Sequence, residues 1–155
     1  MLYIKGEMTI SPFPIALIVS RFNQSVTELL YQGAMERLRQ LQFGDDLITV
    51  VEVPGAVEIP IVARQLLRYQ SPLAIVALGA VIRGETSHYD YVCHQASHGC
   101  QQVALQYDIP VIFGVLTTEN EAQARDRVGG AHGHKGVEAI DTAVEIVSVL
   151  QQLTD

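Results

Sequence analysis

The pattern of apolar and polar positions alternates between two periods. Ile15-Ala-Leu-Ile-Val19 is a continuous apolar, β-branched run of strand length. From about Gln24 to Leu41 the apolar positions Val26, Leu29, Leu30, Ala34, Leu38 and Leu41 fall on one stripe, the signature of an amphipathic helix. Gly44 is read as its C-terminal glycine. Leu47–Val53 predicts a second strand, broken by Pro54-Gly55, and a short helix over about 57–69 follows. Leu73–Leu78 predicts strand three. After a glycine-bearing loop, His88–Tyr107 predicts a long helix, and Val111–Leu116 strand four. Helices over about 119–128 and 135–153 flank a Gly-rich segment and close the chain.

Strands apolar on both faces and alternating with helices predict a parallel sheet between two helix layers. The expected fold is a three-layer α/β sandwich with a four-stranded parallel sheet, flavodoxin-like, in one domain spanning residues 1–155. Leu2-Tyr3-Ile4 is read as an extra edge strand, open to pairing with a neighbouring subunit. The last helix carries two stripes: Val137, Ile140, Val144 and Val147, then Ala139, Ile146, Val149 and Leu153. One should dock on the sheet. The other seeks a partner, most simply another copy of the chain.

Composition adds to that expectation. Charged residues are 17% and hydrophobic ones 48% of 155, against about a quarter charged in typical soluble domains. The net charge of -7 argues against nucleic-acid binding, and no basic run offsets it. No window of 18 apolar residues predicts a membrane span, and no signal peptide is legible. Cys93 and Cys100 fall in one predicted helix, about 10 Å apart, too far to bridge within it. Reduced thiols and no export signal point to the cytoplasm.

Ligands of open parallel sheets bind beyond the carboxyl ends of the strands. The segments there are Ser20–Asn23, Val53–Glu58, Gly79–His88 and Leu116–Asn120. Gly84 to Ser87 lead into the long helix, where free amides and the helix dipole suit a phosphate, with charge from Arg83 or a distant arginine. Equally, Thr86 or Ser87 could simply cap the helix. His88 could move protons or be structural. Phe22 could stack on a flat heterocycle or enter the core. Glu58 could accept from sugar hydroxyls or merely complement the helix dipole. Arg127 and Lys135 flank Val128–His134, either a site for a phosphate or a polyhydroxyl chain or a surface loop. His94 and His98, four apart, have the spacing of a zinc pair. No third ligand is placed near them, so no metal is expected.

Five segments in order resemble the lumazine synthase family. They are Arg21-Phe22-Asn23, Val53–Pro60, Ala77–Val92, Pro110–Asn120, and Ala124–Arg127 through His134-Lys135-Gly136. The similarity runs from about residue 12 to the C-terminus. It implies the lumazine synthase type of the flavodoxin-like fold, a transferase, and a condensation. The pair condensed is 5-amino-6-(D-ribitylamino)uracil and 3,4-dihydroxy-2-butanone 4-phosphate. The products are 6,7-dimethyl-8-ribityllumazine, phosphate and water, in the penultimate step of riboflavin biosynthesis, with no cofactor and no metal.

The roles it implies are as follows. Phe22 stacks on the pyrimidinedione, with Asn23 nearby. Ala56, Val57 and Glu58 hold the ribityl chain and ring, and Val81 and Ile82 line the ring pocket. Gly84, Glu85 and Thr86 receive the phosphate, helped by Arg127, and His88 shuttles protons. Phe113, Arg127 and Lys135 come from the adjacent subunit. The implied assembly is a homopentamer, which in relatives closes into an icosahedral shell of twelve pentamers, with riboflavin synthase as a candidate partner.

Two departures stand out. Val57 replaces a common aromatic, and Gly130-Ala-His-Gly-His134 replaces a common Thr-Lys-Ala-Gly-Asn at unchanged length. Rival modules of this fold fit less well. Arg21–Gln24 stands where a flavodoxin has its phosphate loop, and the acidic cluster of a receiver domain is absent.

Overall fold

The computed structural model describes residues 1–155. Four parallel strands form the sheet: β1 (Ile15–Ser20), β2 (Ile48–Val53), β3 (Ala74–Ile82) and β4 (Val111–Thr118), in the order β2-β1-β3-β4. The helices are α1 (Gln24–Gln40), α2 (Ile59–Tyr69), α3 (His88–Tyr107), α4 (Glu121–Arg125) and α5 (Lys135–Thr154). A short antiparallel pair, β5 (Val128–Gly130) and β6 (Gly133–His134), joins α4 to α5.

Strand alternation sorts the core into two halves. Ile15, Leu17 and Val19 of β1, with Val76 and Leu78 of β3, pack under α1 and α5. Ala16 and Ile18, with Ile75 and Ala77, pack under α2 and α3. The sheet is thus the middle layer of a three-layer sandwich, as the unbroken apolar strands require.

Several boundaries move for physical reasons. Gly44 does not terminate α1; it lies extended at φ -76°. The left-handed residue is Gln42, at φ 65°. Phe43 N–H donates to the Leu38 carbonyl (3.0 Å) and Gln42 N–H to Arg39 (2.9 Å), the bonding of a Schellman motif. Burial of Phe43 and Leu38 together fixes that register without a glycine. The helix expected from 57 splits into a 3-10 turn, Ala56–Glu58, and α2, which carries Pro60 in its first turn. The helix expected over 119–128 shrinks to Glu121–Arg125. Asn120 caps it by accepting from Gln123 N–H (2.9 Å), and the chain then turns into β5.

Gly79–Ile82, read as loop, belongs to β3, paired with β4 up to Ile82–Thr118. Gly79 is required there: a Cβ would sit 2.7 Å from Ser20 Oγ. This overhang forms the floor of the site.

Leu2-Tyr3-Ile4 forms no strand within the chain. The segment beyond it runs along α5, where Glu7 N–H donates to Ser148 Oγ (3.1 Å) and Gln152 Nε2 to the Lys5 carbonyl (2.8 Å). On α5, Ala139 joins Ile140, Val144 and Val147 on the sheet-facing side, because it lies one helical turn from Ala143. Ile146 and Val149 are half-buried and Leu153 is exposed.

Candidate active site

The segment after β1 continues the ladder before α1 begins. Arg21 N–H donates to the Val53 carbonyl (2.9 Å) and Phe22 N–H to Pro54 (3.0 Å). This holds the Phe22 ring outside the core, 71% exposed, which removes the core reading of that residue. Asn23 takes a left-handed conformation (φ 60°), and its side-chain amide donates to the Ala80 carbonyl (2.8 Å). It ties the start of α1 to the overhang of β3 and does not line the cavity.

A cavity of about 620 Å³ lies beyond the carboxyl ends of the strands, within the range of small-molecule sites. Phe22 is at its mouth. Ala56, Val57 and Glu58 form one wall, and Val81 and Ile82 the floor. Gly84, Thr86 and His88 form the opposite end. Nine of the fourteen residues expected at the site therefore meet in one space. Glu85 adjoins it in the turn without lining it.

The turn before α3 has unused donors. The amides of Gly84, Glu85, Thr86 and Ser87 donate to no group of the chain. Ser87, the residue before α3, makes no side-chain cap. Thr86 Oγ1 accepts only from His88 N–H (3.3 Å). A Cβ on Gly84 would meet nothing within 4 Å, so the chain itself leaves space beside the turn. Amides at a helix start, exposed and unpartnered, attract an anion.

Arg83 does not supply the positive charge there. Its Nε donates to Glu119 (2.7 Å), its Nη2 to Asp90 (3.4 Å), and the guanidinium lies 4.3 Å from the Tyr89 ring centre. The hydrogen bond to Glu119 holds its pKa above the ordinary arginine value. Burial pushes the Tyr89 hydroxyl and the Cys93 thiol up, so both stay protonated at neutral pH.

Phe113, Arg127 and Lys135 lie away from this cavity. Phe113 is exposed on edge strand β4. Arg127 Nη1 donates to the Gln123 carbonyl (2.7 Å). Lys135 Nζ lies 4.0 Å from Glu138. Its backbone amide donates to the Arg127 carbonyl (2.7 Å), which pairs the two residues through their backbones. His94 and His98 stack with ring centres 5.5 Å apart on exposed helix surface, and no three His, Cys, Asp or Glu side chains converge on a metal position.

Tyr89, Tyr91, Val92 and Gln95 also line the cavity and were not anticipated. The signal was present: positions 91, 92 and 95 follow His88 at helical spacings of three, four and seven, so one face of α3 forms a wall.

Comparison with known proteins identifies the family. The profile of the 6,7-dimethyl-8-ribityllumazine synthase family matches residues 12–151. The 6,7-dimethyl-8-ribityllumazine synthase of Coxiella burnetii strain Dugway 5J108-111 is 51% identical over 146 residues, covering 94% of this chain and 97% of that protein. The protein of that name from strain RSA 493 / Nine Mile phase I matches with the same identity and coverage. The matched stretch contains every segment that builds the cavity, and the chain belongs to the 6,7-dimethyl-8-ribityllumazine synthase family.

Proposed function

We propose that the chain condenses 5-amino-6-(D-ribitylamino)uracil with 3,4-dihydroxy-2-butanone 4-phosphate, giving 6,7-dimethyl-8-ribityllumazine, in the penultimate step of riboflavin biosynthesis. The observation that carries this reading is the pairing of four unpartnered amides at one end of the cavity with an exposed phenyl ring at the other. The amides suit a phosphate and the ring suits a flat pyrimidine.

In the proposed reaction the pyrimidine's 5-amine adds to the ketone and loses water to give an imine. Proton loss from carbon and departure of phosphate follow. The resulting enol becomes a ketone, and the ribitylamino nitrogen closes the ring with loss of a second water. The chain's part is orientation and proton transfer. Gly84, Glu85 and Thr86 hold the phosphate through their amides, and Phe22 holds the ring with Asn23 fixing its base. Ala56, Val57 and Glu58 receive the ribityl chain, Val81 and Ile82 flank the ring, and His88 moves protons. No step needs a redox cofactor or a metal.

Phe113, Arg127 and Lys135 serve the cavity of an adjacent copy. Their position away from their own cavity and the exposed Phe113 ring support this. Residues 1–155 then act as one domain whose site is complete only between subunits. A homopentamer is the smallest such ring, twelve pentamers could close a 60-subunit icosahedral shell, and riboflavin synthase is the candidate partner. The expected location is the cytoplasm.

The test mixes purified protein with both substrates and follows the fluorescent lumazine and released phosphate in equal amounts. A folded, assembled protein that forms neither overturns the reading. Co-refolding an inactive Phe22→Ala variant with an inactive Lys135→Ala variant should restore activity, because mixed rings contain some interfaces with both native residues. No recovery would place each site within one subunit.

A further inference from the structure

Resting on that reading, the cations at its phosphate end need an anchor, and the structure offers an unusual one. His134 precedes α5, and its Nδ1 accepts from the amides of Gly136 (3.2 Å) and Val137 (3.4 Å). Two donors on Nδ1 require a lone pair there, so the ring proton sits on Nε2. The imidazole thus does what an asparagine or serine oxygen commonly does at a helix start. It is larger than those side chains and needs a notch. Gly33, in the middle of α1, supplies it: a Cβ on Gly33 would fall inside the imidazole. Gly136 completes the recess, since a Cβ there would press on His134 and on the Leu30 carbonyl.

We propose that His134, seated on Gly33, is a positioning residue for the Arg127 and Lys135 cations. His134 pairs with Val128 across the short hairpin, and the next ladder bond runs from Lys135 N–H to the Arg127 carbonyl. The ring therefore pins both cation-bearing residues to α1 through one joint. The side chain reaches two helix-start amides and locks into a neighbouring helix.

Three variants test the joint. His134→Ala should raise KM for the phosphate substrate about five- to tenfold, the effect of one lost helix cap on the loop's population. Its kcat and its KM for the pyrimidine should stay within about twofold, since the lost interaction is one of binding. His134→Asn, which can still cap, should stay within about twofold of the parent in all three. Gly33→Ala should improve the helix propensity of α1 yet raise the same KM by displacing the ring, and adding His134→Asn should relieve it. His132→Ala, on the exposed tip, is the control that changes none of these.

A parent-like KM in active His134→Ala, or a Gly33→Ala defect indifferent to His134→Asn, overturns the proposal. Should His134→Ala fail to fold, the Gly33→Ala and double-variant pair decides. If the parent protein makes no lumazine, the proposed function fails separately. Hydrogen exchange at the Gly136 and Val137 amides, faster in His134→Ala than in His134→Asn, still reads the cap.

Discussion

The starts of α3 and α5 have the same problem and opposite solutions. Both are 20-residue helices whose first amides lack helical partners. At α5 the chain supplies its own acceptor, the His134 ring. At α3 it supplies almost none: Ser87 does not cap, and Thr86 accepts from one amide only. An uncapped start forgoes about 1 kcal/mol. That omission makes sense where an external anion takes the cap's place. The α5 start is capped by the chain itself, and the α3 start is left open, as the proposed phosphate site requires.

The comparison breaks if an internal anion can occupy α3 without consequence. Thr86→Asp would place a carboxylate in the open turn. Two charges about 4 Å apart near a surface repel by about 4 kcal/mol, so KM for the phosphate substrate should rise roughly 10²- to 10³-fold. Thermal stability should hold or increase, because the carboxylate complements the helix dipole. Unchanged KM would show that the turn is not the phosphate site. Two residues further on, His88→Ala should lower turnover about 10²-fold without abolishing it, the low end for general acid-base help. Its KM for the phosphate substrate should change little. Complete loss in a folded, assembled variant would mean that orientation is the smaller contribution.

The open turn was legible in the sequence as glycine, hydroxyls and a helix start, but so was an ordinary cap. Deciding between them needed the positions of the amides, since Thr86 and Ser87 are good capping residues wherever they occur. Phe22 posed the same ambiguity, resolved by the backbone bonds to Val53 and Pro54 that hold it outside. The layer architecture was more readable, because two-sided apolar strands and right-handed crossovers leave few arrangements. Gly79–Ile82 was misread because glycine and alanine weaken a strand signal. The β4 partner across from them restores it. Tyr91 and Gln95 are not legible from the strand ends, because they reach the cavity along one face of α3. The expectation that Arg127 and Lys135 stand apart from their own cavity came from family resemblance, since local sequence carries no signal for it.

Further along α3 the helix serves the core instead of the site. Cys100 is buried against α2 and the sheet, and burial pushes its thiol from 9.0 up to about 11. The folded state therefore resists ionisation that the unfolded chain accepts. This contribution is complete below about pH 9 and declines as pH rises to about 11. The loss should approach roughly 2 kcal/mol, read as a falling urea midpoint between those values. Cys100→Ala, less stable at neutral pH because of its cavity, should show a shallower alkaline decline. An equal slope would assign the decline to the tyrosines.

The smallest effect concerns a helix end that the chain finishes under strain. Gln42 sits at φ 65° in the Schellman motif that ends α1, held by the buried Phe43–Leu38 pair. A side chain there costs roughly 1 kcal/mol in backbone sterics, which glycine avoids. Glycine also gains freedom in the unfolded chain, which offsets part of that relief. Gln42→Gly should therefore raise stability by about 0.5 kcal/mol, a Tm increase of roughly 1–2 °C at this size. Activity should not move, because this end of α1 is opposite the cavity, at the start of the loop that leads to the amino end of β2. A stabilised variant with lost activity would mean that α1 transmits strain to Phe22, and the separation between ends built for structure and ends left for ligand would not hold.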